Sequence, residues 1–169
     1  AAFHPSDSTI VYVAPVLVHP NLCADCYYQA AARLKLNPSM NGSYTLERLY
    51  GENPPDPCEC ACNAACLCGH EDKYHPREIE VDALDNVYVT SAHSLDNDWV
   101  LVFSGSTGAM LTSTWLEGLT DQLRSPAAMS LSSQDPPNWL YLASSVNRNP
   151  VPFVYRFAIQ RQGNAVSAL

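Results

Sequence analysis

Short stretches of alternating apolar and polar residues recur along the chain, and three of them end in an aliphatic-tyrosine-aliphatic triplet. The triplets are Val11-Tyr12-Val13, Val87-Tyr88-Val89 and Leu140-Tyr141-Leu142. A shorter alternating segment and a polar turn rich in Asp, Asn, Ser or Pro precede each triplet. Alternation with a period of two is typical of half-buried strands, and these turn residues favour chain reversal. The pattern therefore predicts a pair of antiparallel strands at each tyrosine.

A second set of strand-like segments, interrupted by a glycine turn, follows each tyrosine triplet. The next segments are Arg33–Leu36, Trp99–Phe103 and Phe153–Phe157, the turns reach Gly42, Gly108 and Gly163, and the last segments are Tyr44–Leu49, Ala109–Leu116 and Ala165–Leu169. Units of about 40 to 55 residues with four strands each are typical of β-propeller blades. We predict an all-β fold of propeller blades, each a four-stranded antiparallel sheet, with a Cys-rich loop insertion.

The predicted organisation is a first blade over residues 1–51, a Cys-rich insertion over 52–75, a second blade over 76–124 and a third blade over 125–169. Closed propellers hold about 4 to 8 blades. We therefore expect a partial propeller that a longer parent chain or partner subunits complete. The start at Ala1, directly in a strand-like pattern, indicates a processed or excised piece of a longer protein.

One segment departs from the strand pattern. Residues Leu22–Leu34 have the composition of a short helix, and Asn21 is a suitable N-cap for it. We predict at most this one helix in the chain.

The middle unit has the most distinctive motifs. It contains Ile79-Glu80-Val81-Asp82, then Asp85-Asn86-Val87-Tyr88-Val89-Thr90, and later Val100-Leu101-Val102-Phe103 before Thr107-Gly108. These motifs resemble NHL-like and YVTN-like β-propeller repeats, in which one strand reads GNVYVTD and the next reads RVLVF before a glycine turn. Here Leu84-Asp85 replaces the usual Asp-Gly and Trp99 replaces the frequent Arg. The resemblance implies a propeller architecture and by itself no activity.

Charge and hydropathy narrow the range of partners. The 169 residues contain 17 acidic and 9 basic side chains, which give a net charge of −8. A phosphate backbone would be repelled, so nucleic acid is not an expected partner. No apolar run approaches the roughly 20 residues of a membrane helix. We expect protein partners, or further blades of the same parent chain.

The chain contains seven cysteines, and five of them lie between positions 58 and 68. This density is unusual in a reducing cytosol. The triplet Asn41-Gly42-Ser43 is a glycosylation sequon, which predicts an exposed turn at Asn41 that can carry a glycan. Together the two features indicate an extracellular or cell-surface glycoprotein.

Two interpretations of the cysteines stay open. In the first, disulfides staple the loop, and the residues concerned are Cys23, Cys26, Cys58, Cys60, Cys62, Cys66 and Cys68. Each bridge would stabilise the fold by about 2–4 kcal/mol, and the odd seventh thiol would be free or would bridge to another chain. In the second, thiolates bind a metal such as Zn, with Cys58, Cys60, Cys62, Cys66, Cys68 and His70 as ligands.

The remaining polar candidates favour structural roles. His4, His19 and His75 are expected in turns, whereas His93 could join Asp82 and Asp85 in a site. The Asp96-Asn97-Asp98 loop could bind Ca²⁺ but lacks the spacing and closing Glu of an EF-hand, so we predict a solvated hairpin turn. The three repeated tyrosines are expected to pack within or between blades.

These observations predict a non-catalytic structural and protein-binding module of a secreted or cell-surface β-propeller protein, stapled by disulfides, within a larger assembly. No cofactor is expected under this interpretation. An alternative is a propeller enzyme of the peptide-amidating lyase type with metal in its channel, although its His and Tyr set cannot be mapped onto this sequence. A second alternative is a thiolate metal-binding or redox protein.

Overall fold

The computed structural model describes residues 1–14, 31–37, 39, 42–51, 76–91, 98–116, 126–144 and 154–169. Within these ranges every regular element is a β-strand. The first sheet contains β1 (Ala2–His4), β2 (Asp7–Val13), β3 (Ala31–Asn37) and β4 (Ser43–Tyr50). The middle sheet contains β5 (Pro76–Val81), β6 (Asn86–Ser91), β7 (Trp99–Ser104) and β8 (Met110–Trp115).

The C-terminal part of the chain forms a third sheet and a hairpin. The third sheet contains β9 (Pro126–Leu131), β10 (Trp139–Ser144) and β11 (Val154–Ala158), and the C-terminal hairpin pairs β12 (Gln160–Gln162) with β13 (Ala165–Ala168). All strand pairs are antiparallel between neighbours in chain order. The predicted all-β class is confirmed, and the first and middle sheets have the predicted four antiparallel strands, whereas the third unit divides into a three-stranded sheet and a separate hairpin.

The helix predicted over Leu22–Leu34 is wrong where it can be compared. Residues 31–34 belong to β3, and residues 22–30 lie outside the described ranges. Pairing with β2 and β4 on either side decides the conformation of this segment, because long-range packing overrides a weak local helix preference.

The turn glycines were predicted correctly: Gly42, Gly108 and Gly163 have φ angles of 79°, 79° and 63°, which favour glycine.

One strand register is common to the three sheets. In each, the tyrosine of the second strand is directly opposite a residue of the third strand: Tyr12 faces Arg33, Tyr88 faces Val102, and Tyr141 faces Arg156. The aliphatic residues that flank each tyrosine also have equivalent partners: Val11 with Leu34, Val87 with Phe103, and Leu140 with Phe157. The three tyrosines therefore occupy the same position in their sheets.

The middle sheet is covered on both faces. Val87, Leu101 and Phe103 belong to a buried cluster shared with the first sheet, whereas Tyr88 and Val102 belong to one shared with the third sheet. Successive side chains of a strand point to opposite faces, so this arrangement buries all six residues of β6. The apolar core thus consists of two layers, one at each junction between sheets.

Equivalent strands of neighbouring sheets lie side by side. The first strand of the middle sheet, β5, contacts β1 and β9, and the last strand, β8, contacts β13. The sheets therefore stack as blade-like layers in chain order. The described residues form no closed ring of blades.

The two end sheets each have a largely apolar face that no other described element covers. We call the free face of the first sheet the surface formed by Phe3, Val11, Leu34 and Leu46, and the free face of the third sheet the surface formed by Trp139, Tyr141, Val154 and Arg156. Phe3 is 64% exposed, Leu46 is 55% exposed and Val154 is 68% exposed. Apolar strand positions of this kind normally face a core.

Candidate functional site

The turn between β5 and β6 presents two carboxylates, one to each neighbouring layer. The Asp85 amide donates to the Asp82 carbonyl at 3.0 Å, which closes the turn. Asp85 has a φ of 61°, a left-handed conformation that Asp tolerates better than most residues. The Asp85 carboxylate meets side chains of the first sheet, and the Asp82 carboxylate meets the C-terminal hairpin.

Asp85 lies at the centre of the first junction, which is the contact between the first sheet and the middle sheet. The Tyr12 hydroxyl donates a short hydrogen bond to Asp85 Oδ1, and Arg33 Nη1 donates to Asp85 Oδ2 at 3.3 Å. Arg33 also donates to the Gly105 carbonyl at 3.3 Å, and the Tyr50 hydroxyl donates to the same carbonyl at 2.9 Å. Donors from the first sheet thus bind acceptors in two turns of the middle sheet.

Gly105 is required by the close approach of these two turns. Its amide donates to the Asp85 carbonyl at 2.6 Å, and a Cβ atom at position 105 would overlap the Asp85 carboxylate. Any side chain here would displace the acceptor of Tyr12 and Arg33. The sequence Ser104-Gly105-Ser106 is therefore a structural turn element.

Asp82 lies at the centre of the second junction, which is the contact of the middle sheet with the C-terminal part of the chain. It is 2% exposed. Its Oδ1 accepts hydrogen bonds from the amides of Leu84 at 3.0 Å and Asn86 at 2.9 Å. Its Oδ2 accepts from the Tyr88 hydroxyl at 3.0 Å and from Arg161 Nη2 at 2.9 Å. The Asn86 side chain donates to both carboxylate oxygens and to the Asn164 carbonyl of the hairpin turn. This carboxylate thus joins the middle sheet to the C-terminal hairpin.

The tyrosines of these clusters act as fixed hydrogen-bond donors. Burial, with the hydrogen bond and charge of Asp85, raises the pKa of Tyr12 well above its ordinary value. Burial and the charge of Asp82 raise the pKa of Tyr88 in the same way, and burial raises the pKa of Tyr50 to about 12. At neutral pH the three hydroxyls are protonated, so they stabilise the neighbouring acceptors.

Glu80 on β5 makes the free energy of unfolding depend on pH. Burial first, and then the carboxylate of Glu78, raise the pKa of Glu80 above its ordinary value of 4.5. The folded state therefore favours the protonated acid, and stability from this group is present below pH 4.5 and is lost as the pH rises through the raised pKa. We expect Glu80→Gln to increase the free energy of unfolding at pH 7 and to have no such effect near about pH 4.

Urea denaturation of the wild type and of Glu80→Gln at both pH values measures this difference. The Glu78→Gln variant is the control, since it removes the lesser cause of the shift and should give a smaller gain at pH 7. An equal gain at both pH values would contradict the assignment to Glu80 ionisation.

The possible site of His93 with Asp82 and Asp85 can be compared with the structure only at the two aspartates. Asp82 and Asp85 share a turn but bind partners on opposite faces of the middle sheet, and His93 lies outside the described residues. The prediction of a solvated turn at Asp98 is wrong: Asp98 is 1% exposed, and its carbonyl accepts a hydrogen bond from the Leu116 amide at 2.8 Å. Asp96 and Asn97 lie outside the described ranges.

His4 is the one histidine that the structure describes. Its ring lies 6.3 Å from the Tyr12 ring centroid, and its Nε2 is 3.6 Å from Asp85 Oδ1. Ser6 contacts Nδ1 through its amide and its hydroxyl, each at 3.2 Å. The sequence predicts His4 in a turn, whereas in the structure it is the last residue of β1, directly before the turn, and joins the edge of the Asp85 cluster.

The predicted disulfide, metal and glycan positions lie outside the described residues. They are Cys23, Cys26, Asn41, Cys58, Cys60, Cys62, Cys66, Cys68 and His70. Within the described part of the chain, no group of three or more His, Cys, Asp or Glu residues is suited to a metal ion. No helix in that part is long and apolar enough to cross a membrane.

Sequence reasoning missed the cationic partners of these carboxylates, Arg33 and Arg161. Both occupy strand positions in otherwise uncharged or alternating segments, and both are largely buried, with side chains 19% and 14% exposed. An arginine directly opposite a core tyrosine, as Arg33 is opposite Tyr12, is the signal that would have indicated the first junction.

Comparison of the chain with protein-family models, with curated proteins and with solved structures gives no match.

Proposed function

We propose that this chain is a non-catalytic structural and interaction module of a secreted or cell-surface β-propeller protein. In this proposal, disulfides staple the Cys-rich segment, Asn41 carries a glycan, and further blades or protein partners cover the two end sheets. No cofactor takes part. The observation that carries the proposal is the contrast between the covered middle sheet and the apolar free faces of its neighbours.

The strand register supports the interaction role. Val11 and Leu34 on the free face of the first sheet occupy the positions of Val87 and Phe103, which are 0% and 1% exposed in the middle sheet. The same positions are therefore apolar in both sheets, but among the described elements only the middle sheet has a layer packed against them. Apolar strand faces with this pattern are typical of surfaces that bind another protein layer.

The charged clusters at the junctions support a structural role for the polar residues. Asp82 and Asp85 are each occupied by tyrosine and arginine donors from within the fold. Their hydrogen bonds fix the position of one sheet against the next. The packing of the sheets thus explains why these two carboxylates are present, and no substrate is needed to explain them.

Dye binding to the dilute chain tests the proposal. We expect the wild type to bind the apolar dye anilinonaphthalene sulfonate, and the variants Leu46→Lys and Val154→Lys each to lower the fluorescence by about half, since each places a charge on one free face. Gln162→Lys, at an exposed polar position of β12, is the matched control and should leave the signal unchanged. A wild-type signal no larger than that of a well-packed monomer would contradict the proposal.

A further inference from the structure

The free face of the third sheet repeats the donor pair of the first junction. Tyr141 on β10 is directly opposite Arg156 on β11. Tyr12 on β2 is directly opposite Arg33 on β3 in the same way. In the first junction this pair binds the carboxylate of Asp85, which lies in the turn between the first two strands of the middle sheet. The third sheet therefore presents the same two donors on a face that no described layer covers.

The two donor pairs differ in their surroundings. Tyr12 is 0% exposed, and Arg33 forms an ion pair with Asp85 at 3.3 Å. Tyr141 is only half-buried and Arg156 is exposed. Arg156 takes part in none of the ion pairs between described residues. The donors on the third sheet are thus accessible to an acceptor from another layer.

The Trp139 ring fixes the direction of the Arg156 side chain. The guanidinium carbon lies 4.2 Å from the centroid of that ring, which is a cation–π contact. Trp139 is the first residue of β10, directly after the turn between β9 and β10. In the first junction Asp85 lies beside the equivalent turn, between β1 and β2, where His4 is 3.6 Å from it. The cation is therefore held at the end of the third sheet where an equivalent carboxylate would lie.

The turn between β9 and β10 has serine where the middle sheet has a carboxylate. In the middle sheet Asp82 begins the turn and accepts a hydrogen bond from the Tyr88 hydroxyl. Ser132 begins the equivalent turn, because its amide donates to the Trp139 carbonyl as the Asp82 amide donates to the Asn86 carbonyl. The Ser132 hydroxyl accepts a hydrogen bond from the Trp139 amide at 3.2 Å. This substitution leaves the acceptor for the donor pair to another layer.

We infer that Trp139, Tyr141 and Arg156 form a carboxylate-binding site, and that its ligand is an acidic side chain in the turn between the first two strands of a further antiparallel sheet. The inference rests on the proposed interaction function and names the chemistry of the layer that packs on the third sheet. Charge complementarity favours this ligand, because an apolar layer would remove water from the guanidinium without giving it an acceptor. The contact of Arg33 with Asp85 is the same arrangement within this chain.

A backbone-cyclised hairpin that copies residues 76–91 is the probe for this inference, since it contains β5, β6 and the turn with Asp85. We expect it to bind the 169-residue chain and to shift the NMR signal of the Trp139 indole N–H. The signals of Trp99 and Trp115, which lie on the middle sheet, should not move. Asp85→Asn in the hairpin should raise the dissociation constant at least about tenfold, because Asn tolerates the same left-handed turn but has no charge.

Arg156→Met in the chain separates the charged contact from general apolar binding. It should raise the dissociation constant of the unchanged hairpin at least about tenfold and that of the Asp85→Asn hairpin by less than about twofold, because both substitutions break one contact. Arg77→Met in the chain, at an exposed arginine, and Glu78→Gln in the hairpin, outside the turn, are the matched controls. Each should change the dissociation constant by less than about twofold. Far-UV circular dichroism verifies that every variant is folded.

Three results would overturn the inference: no shift of the Trp139 signal at about 1 mM hairpin, equal binding of the unchanged and Asp85→Asn hairpins, or additive effects of Asp85→Asn and Arg156→Met. Equal binding of the two hairpins would overturn this inference alone, because the free face would still bind another layer. Failure to bind either hairpin, in a chain that also binds no apolar dye, would contradict the proposed function as well.

Discussion

Replacing Asp82 with Ala is expected to lower the free energy of unfolding by about 3–5 kcal/mol, because the change leaves a partly buried cation without its partner. Asp82 is 2% exposed, and Arg161, which donates to it at 2.9 Å, has a side chain that is 14% exposed. The substitution also removes the acceptor of the Tyr88 hydroxyl, which is buried with its ring. A buried donor without a partner costs a further 1–3 kcal/mol, roughly, when no water replaces the lost acceptor.

Arg161 has few other hydrogen-bond acceptors that could replace Asp82. Its Nε and Nη1 atoms are buried and form no hydrogen bond with the described residues, so Asp82 is the main electrostatic partner of Arg161 in that part of the chain. A second contact, to the Tyr88 hydroxyl, is 3.4 Å long. The Asp82→Ala/Arg161→Met double variant should therefore recover part of the stability, because it removes the orphaned charge and leaves an apolar chain of similar length.

Chemical denaturation of the wild type, the two single variants and the double variant measures the coupling between the two residues. Arg77→Met is the control for Arg161→Met, since Arg77 is exposed and the same substitution there should change the stability by less than about 0.5 kcal/mol. Strictly additive losses at positions 82 and 161 would show that the ion pair does not join the middle sheet to the hairpin.

Asp82 also shows which part of the fold could be predicted from the sequence. The turn that contains it could be predicted from Asp82 to Asn86 alone, because turn residues between two alternating segments act locally. Its partner Arg161 could not, because the two residues are far apart along the chain and meet only when the hairpin packs on the middle sheet. The same holds for Tyr12 and Asp85, whose contact depends on how two sheets stack.

The strands were predictable for a related reason. Alternation at Val11-Tyr12-Val13 and the glycine at 42 encode local geometry, and the structure has β2 and a turn at these positions. The failure at residues 31–34 came from a segment with several alanines, in which local preference favours a helix and pairing with β2 and β4 favours a strand. Both edges of β3 then have strand neighbours that no local pattern specifies. The free faces could not be predicted, because a sheet face is known to be uncovered only once the stacking of the sheets is known from the three-dimensional structure.

Two phenylalanines, one buried and one exposed, give the second large expected effect. Phe103→Ala should lower the free energy of unfolding by about 3–5 kcal/mol, because a fully buried ring is lost and its neighbours cannot fill the space. Phe103 is 1% exposed, packs in the cluster between the first and middle sheets, and lies 5.9 Å from the Tyr50 ring centroid. Tyr50 in turn donates to the Gly105 carbonyl, so the cavity would also loosen the polar contact beside it.

Phe3→Ala is the matched control for Phe103→Ala, because it makes the same substitution on an apolar face that none of the described layers covers. Phe3 is 64% exposed, and in dilute solution its replacement should change the free energy of unfolding by less than about 0.5 kcal/mol. Urea denaturation of both variants at the same low protein concentration measures the contrast. Equal losses at the two positions would mean that the free face of the first sheet is already covered within one copy. A small loss at Phe3 that grows with protein concentration would instead indicate that a second layer packs there, since only an associated state is sensitive to concentration.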